Sequence, residues 1–211
     1  MMRIVLASGN PGKLAEFEEG LMGFGINIIP QSFFSVTDAP ETASTFIENA
    51  LIKARHATKQ TGLPALADDS GLVVPALSGQ PSIHSARFAG SPQNAAKNID
   101  KLLRLLKDKP EKEHNAFFHC TLVFLETPED PVPIVCEGQW QGVILSAPDG
   151  ERGFGYDPVF WDPEHGQSAA RLSRAQKNQV SHRGKALACM IQALKTRFFA
   201  EGRSPHARTA D

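Results

Sequence analysis

The sequence predicts an α/β fold with mixed strand pairing, and three observations carry that expectation. An apolar run at residues 3–7 breaks at Ser8-Gly9-Asn10-Pro11-Gly12 and gives way to helical spacing, a strand, turn and helix in succession. Residues 115–126 are apolar in both registers, the pattern of a central strand covered on both sides. Amphipathic stretches then alternate with strand-like runs to the end of the chain.

In chain order, Leu14, Phe17 and Leu21 mark a helix over 12–21, and 25–29 returns to a strand pattern. A helix is expected over 44–60, with Phe46, Ala50, Ala54 and Ala57 on one face and Thr45, Glu48, Asn49 and Lys53 on another. Gly62 stops it. A short strand at 65–67 ends in Asp68-Asp69-Ser70-Gly71, and the apolar pattern resumes at 72–74. Ser91-Pro92 offers a cap and a first-turn proline for a helix running to about Lys107. Residues 132–140 read as the partner of the 115–126 strand. Ser173-Arg174-Ala175-Gln176 has the form of a capping box. Ser181 can cap a last helix bearing Leu187, Met190, Ile191, Leu194 and Phe198 on one face. Residues 1–200 are expected to form one domain, and 201–211, without periodicity, a disordered tail.

The chain has 211 residues, with 22 basic and 23 acidic side chains and a formal net charge of −1. That balance argues against binding nucleic acid through bulk charge, so any polyanion must be small and met by a few placed cations. The three cysteines, Cys120, Cys136 and Cys189, are widely spaced and form no CxxC pair, which implies neither a disulfide framework nor a zinc site. A reducing compartment is the expected home. The N-terminal apolar run is too short for a signal-peptide core or a membrane span, and no other segment approaches about 18 continuous apolar residues. A soluble, cytoplasmic protein with no membrane partner follows as the expectation.

Four clusters could carry chemistry. Ser8-Gly9-Asn10-Pro11-Gly12-Lys13 lies between strand and helix, where backbone N–H groups and the helix dipole favour an anion. It is not a P-loop: two residues separate Gly9 from Gly12, and Leu14 follows Lys13 where Ser or Thr is required. The same residues would also make a plain turn with a surface lysine. Asp68-Asp69-Ser70-Gly71, at a strand's C-terminal end, suits Mg²⁺ held by oxygens, or a carboxylate base acting on water. An Asx-turn explains it equally well. In Gly153-Phe154-Gly155-Tyr156-Asp157-Pro158 two glycines permit close backbone approach, and two rings offer flat surfaces to a planar ligand, or the segment is a hairpin or bulge. Ser181-His182-Arg183-Gly184-Lys185, with Lys177 before it, gathers cations at a helix start, where the dipole disfavours them. A ligand rich in oxygen, or a solvated charged face, accounts for that conflict. Serine–lysine pairs at Ser8/Lys13 and Ser181/Lys185 lack an oxyanion hole, and His119 fits a core histidine.

Taken in order, these clusters resemble the inosine triphosphate pyrophosphatase family, which acts on non-standard purine nucleoside triphosphates. The matching stretches include Ser8 to Lys13, Thr45-Phe46-Ile47-Glu48-Asn49-Ala50 with Lys53-Ala54, and Ala67 to Leu72. Ser85-Ala86-Arg87, Gly153 to Pro158 and Ser181 to Leu187 complete the set, which looks like the bacterial branch. The resemblance implies Mg²⁺-dependent hydrolysis of ITP, dITP and XTP to the monophosphate and pyrophosphate by a cytoplasmic homodimer. The fold it implies is an elongated mixed sheet flanked by helices, in two lobes with a nucleotide cleft between. By matching position, Ser8, Gly9, Asn10, Pro11, Gly12 and Lys13 hold the triphosphate with Lys53, and Asp69 is general base and Mg²⁺ ligand. Ser70, Phe154, Gly155, Tyr156, Asp157, Lys177, His182 and Arg183 contact the nucleotide. One departure stands out. The family's paired acids are followed by Thr-Gly, and the first acid is assigned to Mg²⁺. Here Ala39-Pro40-Glu41-Thr42-Ala43-Ser44 puts Pro40 in that place, so Glu41 or a water takes the role. A Maf-like pyrophosphatase acting on pyrimidine nucleotides and a nucleotide-sensing module without catalysis are the alternatives.

Overall fold

Residues 2–199 are described by the computed structural model, and the tail expected at 201–211 lies outside them. β1 (Met2–Ala7) pairs in parallel with β2 (Ile26–Pro30) on one side and β3 (Ala65–Val73) on the other. β4 (Asn115–Leu125), β5 (Ile134–Ile144), β6 (Phe160–Asp162) and β7 (Gln167–Ser168) continue the sheet antiparallel, in the order β2-β1-β3-β4-β5-β6-β7. The mixed sheet expected from the sequence is therefore present, with seven strands among the described residues.

Local chemistry sets the helix ends. α1 (Pro11–Leu21) starts where Asn10 Oδ1 accepts from the N–H groups of Gly12 and Lys13. α2 (Phe46–Thr61) is capped by Thr45 and stopped by Gly62, whose φ of 65° is the left-handed conformation that glycine adopts without strain. Ala50, Ala54 and Ala57, all fully buried, let α2 lie close against the sheet. α4 (Arg174–Val180) has the predicted capping box, and Ser181 caps α5 (His182–Leu194).

Three expectations are corrected. The strand at 65–67 and the run at 72–74 are one nine-residue strand, so Asp68-Asp69-Ser70-Gly71 lies within β3 and makes no turn. β4 pairs with β3 from Ala65↔Leu125 to Val73↔Phe117, and this tertiary ladder overrides the local turn preference. α3 (Ala95–Leu106) begins three residues later than a Ser91 cap suggests, because Asn94 is the cap and accepts from the Lys97 N–H. Cys136 and Cys189 are joined in a disulfide across β5 and α5, with Cα atoms 5.9 Å apart. Nothing in their separation of 53 residues signals that contact, which only the docking of α5 on β5 creates.

Side-chain alternation divides the core. On one face of the sheet, Leu66, Cys120, Leu122, Phe124 and Cys136 pack with α1 and α5. Farther along the same face Leu72, Phe118, Trp140 and Phe160 form a second cluster with α3. The opposite face buries Val5, Ala65, Ala67, Val123 and Leu125 under α2. Between the first two clusters β3 places Asp68 and Ser70, so a polar belt separates them.

α5 reaches this belt because Gly138 of β5 carries no side chain: a Cβ there would run into the His182 carbonyl oxygen and the Ala186 nitrogen. Gly138→Ala is expected to destabilise the fold by about 1–3 kcal/mol through overpacking. Thermal unfolding should show a Tm lower by roughly 2–12 °C. An unchanged Tm would show that α5 does not depend on this close approach.

Candidate active site

β1 ends at Ala7, paired with Ala67, while β3 runs on to Val73, where Pro81 next bridges it. Residues 68–72 thus present a strand edge with no neighbouring strand. Leu72 donates its N–H to Ser85 Oγ on this edge (2.9 Å), and strand alternation turns the Asp68 and Ser70 N–H groups the same way. The edge faces a cleft of about 770 Å³ bounded by the β1–α1 turn, the segment before α2, the Phe154–Asp157 loop and the start of α5. That volume suits a ligand of nucleotide size. The predicted site residues line it, except Gly12, which Phe154 covers, and Asp69, which meets it through Lys53.

Successive β3 side chains point to opposite faces, so the two aspartates enter different surroundings. Asp68 is fully buried; its Oδ1 accepts from the Lys13 ammonium and Ser70 Oγ, and its Oδ2 from Arg183 Nε at 2.6 Å. Burial pushes its carboxyl up, but the Arg183 guanidinium and Lys13 ammonium outweigh this and hold it well below the usual carboxylate range. Arg183 Nη1 also donates to Glu16 on α1.

Asp69 faces α2. Its Oδ1 accepts from Lys53 Nζ (2.8 Å), which also donates to Glu41 Oε1 (2.8 Å), while Arg87 Nη1 donates to Glu41 Oε2 (2.9 Å). Asp69 Oδ2 is buried with no partner. Burial outweighs Lys53 here and raises the Asp69 carboxyl above its ordinary value. At Glu41 burial also acts upward, but Lys53 and Arg87 prevail and lower it. The Lys53 ammonium thus bridges the two acids.

The glycine-rich loop is ordered by Asp157, which accepts from the Phe154 N–H (2.8 Å) and from the Lys177 ammonium. Gly153 has φ 78°, and a Cβ there would strike the Asp157 carboxylate. Phe154, 37% exposed, lies under the Lys177 ammonium (4.7 Å to the ring centre) and against Gly12. Tyr156 is only 4% exposed and donates its hydroxyl to Ser85 O, so Phe154 alone offers an open ring. His182 stacks on Phe118 (4.7 Å, 13°), with Nδ1 buried and unpartnered. Burial, aided by Arg183, pushes its pKa well down, so the ring is neutral at physiological pH. Lys185 turns to Gln139 O, and His119 sits against Phe46 and Thr121, as a packed core histidine does.

Sequence reasoning missed Asp38, which lines the cleft, and Glu16, which holds Arg183. Glu16 lies three residues past Lys13 and shares its helix face, a signal that was there to find. Asp38 stands in an irregular segment with no periodicity to mark it.

Asp68 binds two buried or half-buried cations, so Asp68→Asn is expected to cost on the order of 3–5 kcal/mol at neutral pH. A depressed carboxyl contributes stability above its unfolded value near 3.9 and loses it as pH falls through the folded value. The variant should therefore lose less stability than the parent between about pH 5 and 2 in denaturant titrations. Parallel curves would remove Asp68 from that role.

The sequence model of the Ham1 family matches residues 4–193. Over 195 residues the chain is 53% identical to a dITP/XTP pyrophosphatase of Pectobacterium atrosepticum, covering 92% of this chain and 99% of that protein. A dITP/XTP pyrophosphatase of Escherichia coli (strain K12) is 51% identical over the same shares. Among solved structures, a HAM1 protein from Coxiella burnetii superposes with a TM-score of 0.87 at 49% identity, covering 93% of this chain and all of that one. A nucleoside-triphosphatase / dITP/XTP pyrophosphatase from Mycobacterium abscessus gives 0.72 at 42% identity, covering 90% and 98%. Motifs, fold and relatives agree, and the chain belongs to the Ham1 family.

Proposed function

We propose that this chain hydrolyses ITP, dITP and XTP to the nucleoside monophosphate and pyrophosphate. The observation that carries the proposal is the division of labour on β3, where Asp68 ties cations to the cleft while Asp69 keeps one buried oxygen without a partner. The relatives' names supply the substrate class.

Cleavage between the α- and β-phosphates needs a water in line with the α-phosphorus and neutralisation of the departing pyrophosphate. Asp69, raised by burial, accepts the proton of that water better than an ordinary carboxylate. Lys13 and Lys53 bring positive charge to where the phosphate oxygens gain negative charge. Mg²⁺ is the proposed cofactor. Among the described residues no three His, Cys, Asp or Glu side chains converge on one point, but Mg²⁺ commonly takes one or two carboxylates and completes its shell with phosphates and water. Asp69, through its free oxygen, and Glu41 fit that donor set. The ion supplies further neutralisation of the triphosphate when bound.

Phe154 gives the base a ring to stack on, and His182 and Arg183 offer donors to a 6-oxo group. Adenine, with a 6-amino group, would leave those donors unpaired, a loss that can reach about 10⁴–10⁵ in discrimination. The motif resemblance further supports one catalytic domain over 1–200 acting as a homodimer. No helix among the described residues is long and apolar enough to cross a membrane. A free nucleotide substrate points to the cytoplasm, where Cys136 and Cys189 would be kept as thiols, and to no nucleic-acid partner.

Pyrophosphate release from ITP, dITP, XTP, ATP, GTP and dTTP, each with and without Mg²⁺, tests the proposal. Activity confined to ITP, dITP and XTP and dependent on Mg²⁺ is expected, whereas turnover of dTTP alone would favour a pyrimidine enzyme. Asp69→Asn should lower kcat by about 10²–10⁴ while nucleotide binding survives. Turnover within about tenfold of the parent would exclude Asp69 as the base. Arg183→Lys keeps a charge beside Asp68 but loses the planar fork, and should erode the kcat/KM preference for ITP over ATP. An unchanged ratio would remove Arg183 from base selection.

A further inference from the structure

The fold gives the three cysteines different surroundings. Cys120 is fully buried beside Asp68, and burial, with that carboxylate, raises its thiol well above the ordinary value and leaves it inert. Cys136 on β5 and Cys189 on α5 are bonded to each other, with Cα atoms at a separation that a disulfide spans without backbone movement. Their exposure differs: Cys136 is 3% exposed, whereas Cys189 is open to solvent.

The bond lies on the seam that places one wall of the cleft. Two residues along β5, Gly138 admits the His182 carbonyl and the Ala186 nitrogen. Lys185 Nζ donates to Gln139 O (3.0 Å) across the same seam. His182 and Arg183, in the first turn of α5, line the cleft, but neither Cys136 nor Cys189 does. A covalent tie here fastens the helix without touching a ligand. Thiols in the medium can reach it, because one of its two residues is exposed.

We propose that Cys136 and Cys189 form a reversible dithiol–disulfide couple, entered at Cys189, that locks α5 onto β5 under oxidising conditions. The inference goes beyond the function proposed above, and its test reads no turnover. The oxidant is a small disulfide such as glutathione disulfide. The Cys189 thiolate attacks one glutathione sulfur and expels a glutathione thiolate, leaving a mixed disulfide on Cys189. The Cys136 thiolate then attacks Cys189 Sγ, expels the second glutathione and closes the protein bond. Each cysteine gives up one proton, taken by a departing thiolate, so two protein thiols are oxidised and one small disulfide is reduced. A dithiol reverses this: its thiolate attacks Cys189 Sγ and releases Cys136, and its second sulfur then displaces Cys189. The ordinary cytoplasm holds the open form, and an oxidising one holds the tie.

The parent is incubated with excess glutathione disulfide or excess dithiothreitol, then unfolded and alkylated. Three alkyl groups are expected after reduction, and after oxidation only the one on Cys120, with no glutathione retained. Tm should be about 4–16 °C higher in the oxidised protein, because the bond closes a long loop of the unfolded chain. Dithiothreitol added to the folded, oxidised protein should restore the lower Tm. Cys136→Ser should hold one glutathione, mapped to Cys189, and Cys189→Ser should hold none. A folded parent that keeps all its thiols, or a bond that survives dithiothreitol in the folded state, would overturn the couple. Equal Tm values for the two states would remove the lock, and glutathione on Cys136 in Cys189→Ser would overturn entry at Cys189. The comparison of the two parent states involves no substitution, so it decides even where a variant folds poorly.

Discussion

A fully buried carboxylate on a central strand cannot stand alone, and Asp68 is satisfied only when two other elements are in place. Lys13 comes from the first turn of α1 and Arg183 from the first turn of α5, and they reach opposite oxygens of the same side chain. Such a cluster stabilises little compared with apolar packing of equal volume, because desolvating the charges offsets their attraction. Its effect is positional. The β1–α1 turn and the helix that carries His182 are set at fixed places on one strand, and Glu16 closes the arrangement by joining α1 to Arg183. Where this belt crosses the sheet, the apolar core divides in two.

The same strand shows how two neighbouring carboxylates acquire opposite characters. The pleat sends Asp68 towards two cations and Asp69 towards one shared lysine, and their carboxyls move in opposite directions from the ordinary value. One is fixed as an anion that organises the site, and the other is left more basic with an unused oxygen. Environments that push like groups apart are a general way of assigning acid–base roles at constant pH. Here one residue of sequence separates them.

Much of this was legible in the chain. The period of the helices, the capping Ser and Thr residues, Gly62 and the both-faced pattern of β4 depend on local chemistry and appear where it places them. What the sequence hid was set by partners distant in the chain. Asp-Asp-Ser-Gly has the composition of a turn and becomes strand only because β4 pairs along its whole length. Cys136 and Cys189 meet only because Gly138 admits α5 to the sheet. Tyr156 lines the cleft but also anchors the core, its hydroxyl donated to Ser85 O, a double role decided by how its loop folds inward. Asp38 carried no motif, and its place beside Gly9 arises from the fold of an irregular segment.

The open edge of β3 has a bearing on solubility as well as on binding. Unpaired strand edges invite other strands, and proteins with long flat edges are prone to associate through them. Here the gap covers only residues 68–72, closed at one end by β1 at Ala67 and at the other by the Val73–Pro81 bridge. Charged and hydroxyl side chains occupy its near half. The opening is thus too short and too polar to template a foreign strand, so backbone donors can face the cleft without making the sheet sticky.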